Sequence, residues 1–333
     1  MPMSPKFNVS IKAIEYVLGK NMETSEELLR DNPDWRIEDI ENKTGVKTRF
    51  VSGSDETATS LGILAGKKLF SNNEDNISPE EIDALIFVTQ SPDYFLPTSA
   101  CIIQNELGIG KNSLCFDINQ GCSGFVYALS NACAYIHSKL AENVLIICGE
   151  TYTKFIGAED RTNRPLFSDA AAAILVSKSD KSISGFKLGT NGAGARSLIV
   201  EQGAAKSKFD SESSPKLFMD GSKVFMFTLG EIPKSVKNIL KTEGLTSDDI
   251  KMFVFHQASK LVIDNLEKKL GLDSSQVFRN YENLGNTVSA TIPIALKDLS
   301  NRGDMQESEK VLIQGFGVGL SWAGCIIEWD NIR

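Results

Sequence analysis

A thiol, an imidazole and a carboxamide are the side chains through which this chain could do chemistry, and each falls in a distinctive stretch. The thiol is Cys122, in Asp117-Ile118-Asn119-Gln120-Gly121-Cys122-Ser123-Gly124-Phe125. An apolar run over 114–118 breaks at a glycine and gives way to Phe125, Leu129, Cys133 and Ile136 at helical spacing, which puts Cys122 on a strand-to-helix turn. Free N–H groups and the positive end of that helix favour the thiolate, the reactive form of a cysteine. A buried structural cysteine fits the same local pattern, because free cysteine is among the most buried residue types.

His256 follows the apolar run Met252-Phe253-Val254-Phe255, at the carboxyl end of a strand, where catalytic groups of open α/β sheets gather. A hydrogen-bonded core histidine has the same signature. His137, late in a helix, suits the negative end of the dipole and reads as structural. Asn286, in Gly285-Asn286-Thr287, is either a helix cap or a donor turned toward a ligand. Gly315-Phe316-Gly317-Val318-Gly319-Leu320 is either a flexible hairpin or a place where backbone N–H groups approach an oxyanion closely.

The elements that must position these groups alternate between strand and helix. An opening strand is expected over 7–18, mixed helix and loop over 24–90, a helix over 57–70 and a polar loop over 72–78. Within and after that stretch come a doubly buried strand over 84–89, a loop with two prolines over 91–97, a helix over 98–107 closed by Gly108, and strands over 143–148, 170–177 and 183–190. Irregular surface structure is expected over 191–221. The pattern then restarts, with helices over 224–240, 261–270 and 287–299 and strands over 252–255, 311–314 and 323–328. Such alternation implies a parallel α/β sheet with helices on its faces. The halves 1–180 and 181–333 echo one another, each with a strand, a small-residue turn and an apolar helix. A duplication of that kind brings Cys122 and Asn286 to one pocket.

Composition narrows the classes. Of 333 residues 41% are hydrophobic and 23% charged, as in ordinary globular enzymes, and the apolar runs are too short to span a bilayer. Residues 1–10 lack the pattern of a secretory signal, and the six scattered cysteines form no C-x-x-C pair and have no histidine at metal-ligand spacing, so a reducing cytoplasm is expected. A net charge of −8 argues against general nucleic-acid binding.

Taken together, the motifs D-I-N-Q-G-C-S-G-F, F-H-Q-A-S, N-L-G-N-T-V-S-A-T and G-F-G-V-G-L-S-W-A-G resemble the β-ketoacyl-[acyl-carrier-protein] synthase III group of the thiolase superfamily. The likeness runs nearly end to end, through T-G-V-K-T-R near residue 44, F-L-P-T-S-A near 95 and D-R-T-N-R-P-L-F-S-D near 160. It implies a thiolase-like five-layered α/β/α/β/α fold built from two similar halves, a homodimer, and a decarboxylating condensation. Cys122 would take an acyl group from a thioester donor, either an acyl-coenzyme A or an acyl carrier protein. His256 and Asn286 would hold the thioester carbonyl of a malonyl-carrier substrate, and the backbone N–H groups of Cys122 and Val318 would hold the tetrahedral oxyanion. No metal, flavin or nucleotide redox cofactor is implied.

The resemblance also assigns Phe95, Leu96, Arg161 and Phe316 to acyl or thioester binding, with the loop of Phe95 and Leu96 reaching across a dimer interface. Lys260, Lys268 and Lys269 would dock the acidic carrier. Four departures touch the substrate or its carrier. Val318 stands where glycine is common, and Leu96 replaces a residue that limits acyl length. Asp39 stands where many members carry a tryptophan that stacks on adenine, and Leu261 stands where an arginine of the docking helix is expected. Two rivals remain: an acyltransferase passing its acyl group to an alcohol or amine, and a non-catalytic partner subunit. A papain-like protease shares the Cys, His and Asn types but has a different cysteine signature.

Overall fold

The runs that carry no polar face in the sequence become the strands at the centre of the molecule. In the computed structural model residues 5–72, 77–206 and 216–333 are described. Parts of the expected polar loop over 72–78 and of the irregular segment over 191–221, and the first four positions of 1–10, lie outside the described residues.

The chain opens with β1 (Phe7–Leu18), β2 (Asn21–Thr24), α1 (Ser25–Asp31), α2 (Ile37–Thr44) and β3 (Thr48–Val51). A regular alternation follows: α3 (Ala58–Ser71), β4 (Ala84–Val88), α4 (Ser99–Leu107), β5 (Leu114–Ile118), α5 (Gly124–His137) and β6 (Asn143–Glu150). After β7 (Ala170–Thr190), β8 (Leu198–Val200) and β9 (Leu217–Met219) it resumes with α6 (Gly221–Glu243), β10 (Met252–Phe255), α7 (Lys260–Leu270), α8 (Thr291–Arg302), β11 (Lys310–Gly317) and β12 (Ser321–Glu328).

Strand pairing repeats. β4 lies parallel to β5 and β6, β6 is antiparallel to residues 170–177 of β7, and β1 runs antiparallel along β7's other side. In the second series β10 is parallel to β11 and bridges in parallel to Val277, β11 is antiparallel to β12, and β12 is antiparallel to residues 183–190 of β7. The order β5-β4-β6-β7-β1 thus has its counterpart in Val277-β10-β11-β12-β7.

Alternate side chains of each strand point to opposite layers. Leu85 and Phe87 of β4 pack with Leu61 and Ala65 of α3 and Ile103 of α4. Ile86 and Val88 face the other way, into a cluster shared by Phe125 and Leu129 of α5, Ile292 and Leu296 of α8, and Val254 and Ile313 from the second set of strands. Beyond those strands, Phe253, Phe255 and Leu312 meet Ile232 and Val236 of α6 and Ile263 and Leu266 of α7. The layers therefore run α/β/α/β/α, with α5 and α8 in the middle.

Three expectations are corrected. The strands read at 170–177 and 183–190 are one 21-residue strand, because the polar residues 178–182 stay extended as the chain passes from one set of partners to the next. The helix expected from 287 begins at Thr291, after a short 3-10 turn over Val288–Ala290. Residues 191–221 are not wholly irregular: they include β8, β9 and a 3-10 turn over Gly192–Ser197.

Candidate active site

Cys122 occupies the tight turn between β5 and α5, where the Gly124 N–H donates to the Gly121 carbonyl at 2.7 Å. The turn is tight because it is wedged: a Cβ on Gly124 would lie 2.4 Å from Val88 Cγ1. Ser123 Oγ lies 2.7 Å from Ser321 Oγ, which donates to the Val318 carbonyl at 2.6 Å and so ties the turn to the β11–β12 connection. Cys122 is only 5% exposed. Burial pushes its thiol well up, the Glu150 carboxylate pushes it further, and its own backbone N–H pulls it partly back. Burial thus works against the thiolate that the helix tip was expected to favour.

His256 continues from β10, its N–H donating to the Gln314 carbonyl of β11 at 2.9 Å. The ring is 2% exposed and packs edge-on to Phe316 with centroids 5.4 Å apart. Burial lowers its pKa to about 3, so the imidazole is neutral at physiological pH. Nδ1 lies 2.7 Å from Thr291 Oγ1.

Asn286 is not a helix cap. Its N–H donates to the Leu166 carbonyl and its carbonyl accepts from the Ser168 N–H, both at 2.9 Å, which fixes the backbone on both sides. Its Oδ1 accepts the Val288 N–H at 2.9 Å, an Asx-type turn that leaves Nδ2 to face His256 Nε2 and the Ala258 carbonyl, each at 3.5 Å. Val288 itself has φ +54°, an outlier for a β-branched residue and the kind of local strain that collects at functional sites.

The two turns meet. Cys122 shares one buried cluster with Val288, Leu166, Phe167 and Tyr152, and the backbone of Asn286 bridges to Phe167. Val318 packs against that cluster, and a Cβ on Gly317 would come within 2.9 Å of Cys122 Sγ. The turn of Cys122 and the segment after Asn286 therefore share one buried cluster through Val288, and Asn286 in turn faces His256.

The other predicted residues are scattered by comparison. Phe316 is buried against His256 and in the outer core of the second set of strands, so it supports the imidazole from behind. Phe95 and Leu96 are 76% and 82% exposed. Arg161 is exposed on the loop before β7, and the Ala158 carbonyl of that loop accepts from Asn32 Nδ2 at 3.4 Å. Lys268 and Lys269 are exposed in the last turn of α7, whereas Lys260 is held by Asp264 at 2.6 Å.

Sequence reasoning passed over two residues. Thr291 closes the N-L-G-N-T-V-S-A-T motif but falls inside the expected helix over 287–299 with no role of its own, and Glu150 lies two residues past the expected strand over 143–148. Glu150 is fully buried, accepting from the Gln90 N–H, Ser91 Oγ and Ser289 Oγ, each at 3.0 Å. A charged residue closing an otherwise apolar strand was the only available signal.

The repeated strand order, with two turns from separate series facing each other across the middle layer, defines a thiolase-like protein. Residues 116–192 match the family model described as 3-oxoacyl-[acyl-carrier-protein (ACP)] synthase III, and residues 240–329 match the model of its C-terminal part. A β-ketoacyl-[acyl-carrier-protein] synthase III of Clostridium acetobutylicum is 35% identical over 88% of this chain and 90% of its own. The crystal structure of a 3-oxoacyl-(acyl-carrier protein) synthase from Burkholderia xenovorans superposes with a TM-score of 0.92 at 32% identity, covering 99% of this chain and 97% of that one. The priming β-ketosynthase of the R1128 polyketide pathway gives 0.90 at 30% identity, covering 99% and 98%. The chain belongs to the 3-oxoacyl-[acyl-carrier-protein] synthase III family.

Proposed function

We propose that the protein is a decarboxylating condensing enzyme that joins an acyl group carried on Cys122 to a malonyl group on an acyl carrier protein, giving a 3-oxoacyl product. The observation that carries this is the pair of nitrogens, His256 Nε2 and Asn286 Nδ2, 3.5 Å apart, with Val288, which holds the Asn286 amide, in one buried cluster with Cys122. An oxygen at roughly 2.9 Å from both fits over that pair. In the first half-reaction the sulfur of Cys122 attacks the donor's carbonyl, the donor's carbon–sulfur bond breaks, and the thiol proton leaves with the departing thiol. In the second, loss of carbon dioxide leaves an enolate whose oxygen is held by His256 and Asn286. The carbanion attacks the acyl carbonyl on Cys122, and the thiolate departs. Backbone N–H groups of Cys122 and Val318 are suited to the tetrahedral oxyanion.

The donor's carrier is the finer point. Arg161 is exposed and suits a nucleotide or phosphate group, but Asp39, on the exposed face of α2, offers no stacking surface. Lys268 and Lys269 form no ion pair among the described residues and suit an acidic carrier.

Intact-protein mass spectrometry after exposure to acyl-coenzyme A and acyl-carrier thioesters tests the reading. Cys122→Ala should lose the mass gain, and a stable adduct elsewhere would overturn the assignment. His256→Ala and Asn286→Asp should keep self-acylation but cut malonyl-carrier decarboxylation by about 10²–10³-fold, the usual cost of one oxyanion donor.

A further inference from the structure

A neutral imidazole carries one N–H, so His256 can donate to a substrate oxygen through Nε2 only if Nδ1 is bare. Nδ1 faces a single hydroxyl, that of Thr291 at 2.7 Å, and Thr291 is 2% exposed. The same hydroxyl lies 3.0 Å from the Val288 carbonyl, to which it can donate instead. It has one hydrogen and therefore two settings. Pointed at Val288, its oxygen accepts from Nδ1–H and Nε2 is left with a lone pair. Pointed at the ring, it donates to Nδ1 and the ring proton must sit on Nε2.

We propose that Thr291 is the positioning residue that sets the tautomer of His256, turning its hydroxyl from the Val288 carbonyl to Nδ1 when the malonyl thioester binds, so that Nε2–H joins Asn286 Nδ2 as the second donor to the carbonyl oxygen. This rests on the condensing reading above. Burial supports it independently by keeping the ring neutral, so that the position of one proton is the variable. The neighbourhood is arranged for the exchange. Asn286 is committed through Oδ1 to the Val288 N–H, which leaves Nδ2 as a fixed donor: at 3.5 Å it faces a bare Nε2 as its acceptor, and once Nε2 carries the proton the two N–H groups need an acceptor between them. One setting of the hydroxyl is satisfied by the carbonyl of Val288 in the 3-10 turn that precedes α8 and the other by Nδ1, and the Val288 carbonyl keeps the Thr291 N–H in either. A hydrogen bond given to Nδ1 also polarises the ring and makes Nε2–H the stronger donor.

Thr291→Val removes the hydroxyl at nearly constant volume, and Thr291→Ser restores it. Malonyl-carrier decarboxylation by the Val variant should fall about tenfold or more in kcat with KM little changed, short of the 10²–10³-fold cost of losing a donor outright, while self-acylation of Cys122 persists. The Ser variant should return to within about threefold of the starting rate. A Val variant that decarboxylates normally, or a Ser variant as slow as Val, would overturn the proposal. Should the Val variant fail to fold, the starting protein still decides. The chain has two histidines, so ¹⁵N-histidine spectra can be assigned with His137→Gln. With a non-decarboxylating malonyl thioester analogue bound, Nδ1 should show the shift of an unprotonated acceptor and Nε2 that of an N–H; the reverse tautomer in that complex refutes it. If His256→Ala leaves decarboxylation intact, the condensing reading itself fails. If His256→Ala is slow and Thr291→Val is not, only the role of Thr291 does.

Discussion

Glu150 ends β6 with its carboxyl between the two series of elements, reached by Ser91 from one and Ser289 from the other. Burial raises its pKa to about 8 against three hydrogen bonds that favour the ionised form. In an unfolded chain a glutamate ionises near 4.3. Between those values the folded protein keeps a proton that the unfolded chain has lost, so Glu150's contribution to stability falls as pH rises through that window and levels off above it. Glu150→Gln should remove that slope. Denaturation midpoints at pH 5 and pH 8 should diverge less for the variant, the difference amounting to a few kcal/mol, of order 1.4 kcal/mol per pH unit. Parallel profiles would show that the carboxyl does not titrate in this way. Gly317 makes a second prediction at this scale. A Cβ there would stand 2.9 Å from Cys122 Sγ and 3.1 Å from its Cβ, so Gly317→Ala should slow self-acylation by about an order of magnitude or more, read by the rate of acyl-enzyme mass gain, at a stability cost of about 1–3 kcal/mol.

Among the elements, α4 owes its start to a residue outside it. Thr98 gives no side-chain cap, and instead Asp117 on β5 accepts the N–H groups of Ser99 and Ala100, both at 2.8 Å. Those groups are buried with the helix start, so no water replaces the carboxylate. Asp117→Ala should cost about 1–2 kcal/mol and lower the thermal midpoint by a few degrees in calorimetry, as loss of a helix cap does. An unchanged midpoint would mean the cap is replaceable. The same residue opens the D-I-N-Q-G-C motif, so the strand that leads to Cys122 also anchors the helix after the Phe95–Leu96 loop. At the other turn the 3-10 segment over Val288–Ala290 does two jobs, setting Asn286 through Val288 and reaching Glu150 through Ser289. The geometry of the candidate site and the joining of the two series are therefore carried by the same short elements.

At the scale of the whole molecule, β5 is the outer strand of its sheet, and Tyr94, Phe95 and Leu96 stand exposed on the loop leading into the helix that packs against it. An open strand edge beside an apolar loop is normally paired or covered. A second copy of the chain, placed edge to edge, covers both, and we propose a homodimer on that ground. Light scattering on a sizing column should give twice the 36.4 kDa chain mass, and Leu96→Asp with Phe95→Asp should shift it toward monomer. A monomer at all concentrations in the starting protein would remove the proposal.

Much of this was legible in the sequence because it is local. Apolar runs without a polar face read directly as doubly buried strands, as at β4 and β10. Glycines after 107 and 270 closed α4 and α7 where expected, since a left-handed residue at a helix end suits glycine best. The motifs around Cys122, His256 and Asn286 pointed to the candidate reacting groups. What they could not carry was environment. Neither the upward push of burial on the sulfur, nor the neutrality of His256, nor the facing of the Thr291 hydroxyl toward Nδ1 can be read from the motifs, although Thr291 itself closes one of them. Each comes from desolvation and from partners tens of residues away, which act only after α5 and α8 are brought into one layer. The sequence alone determined which atoms could react, and the tertiary structure decided where their protons reside, because a proton's free energy depends on the dielectric and the donors that distant segments bring around it.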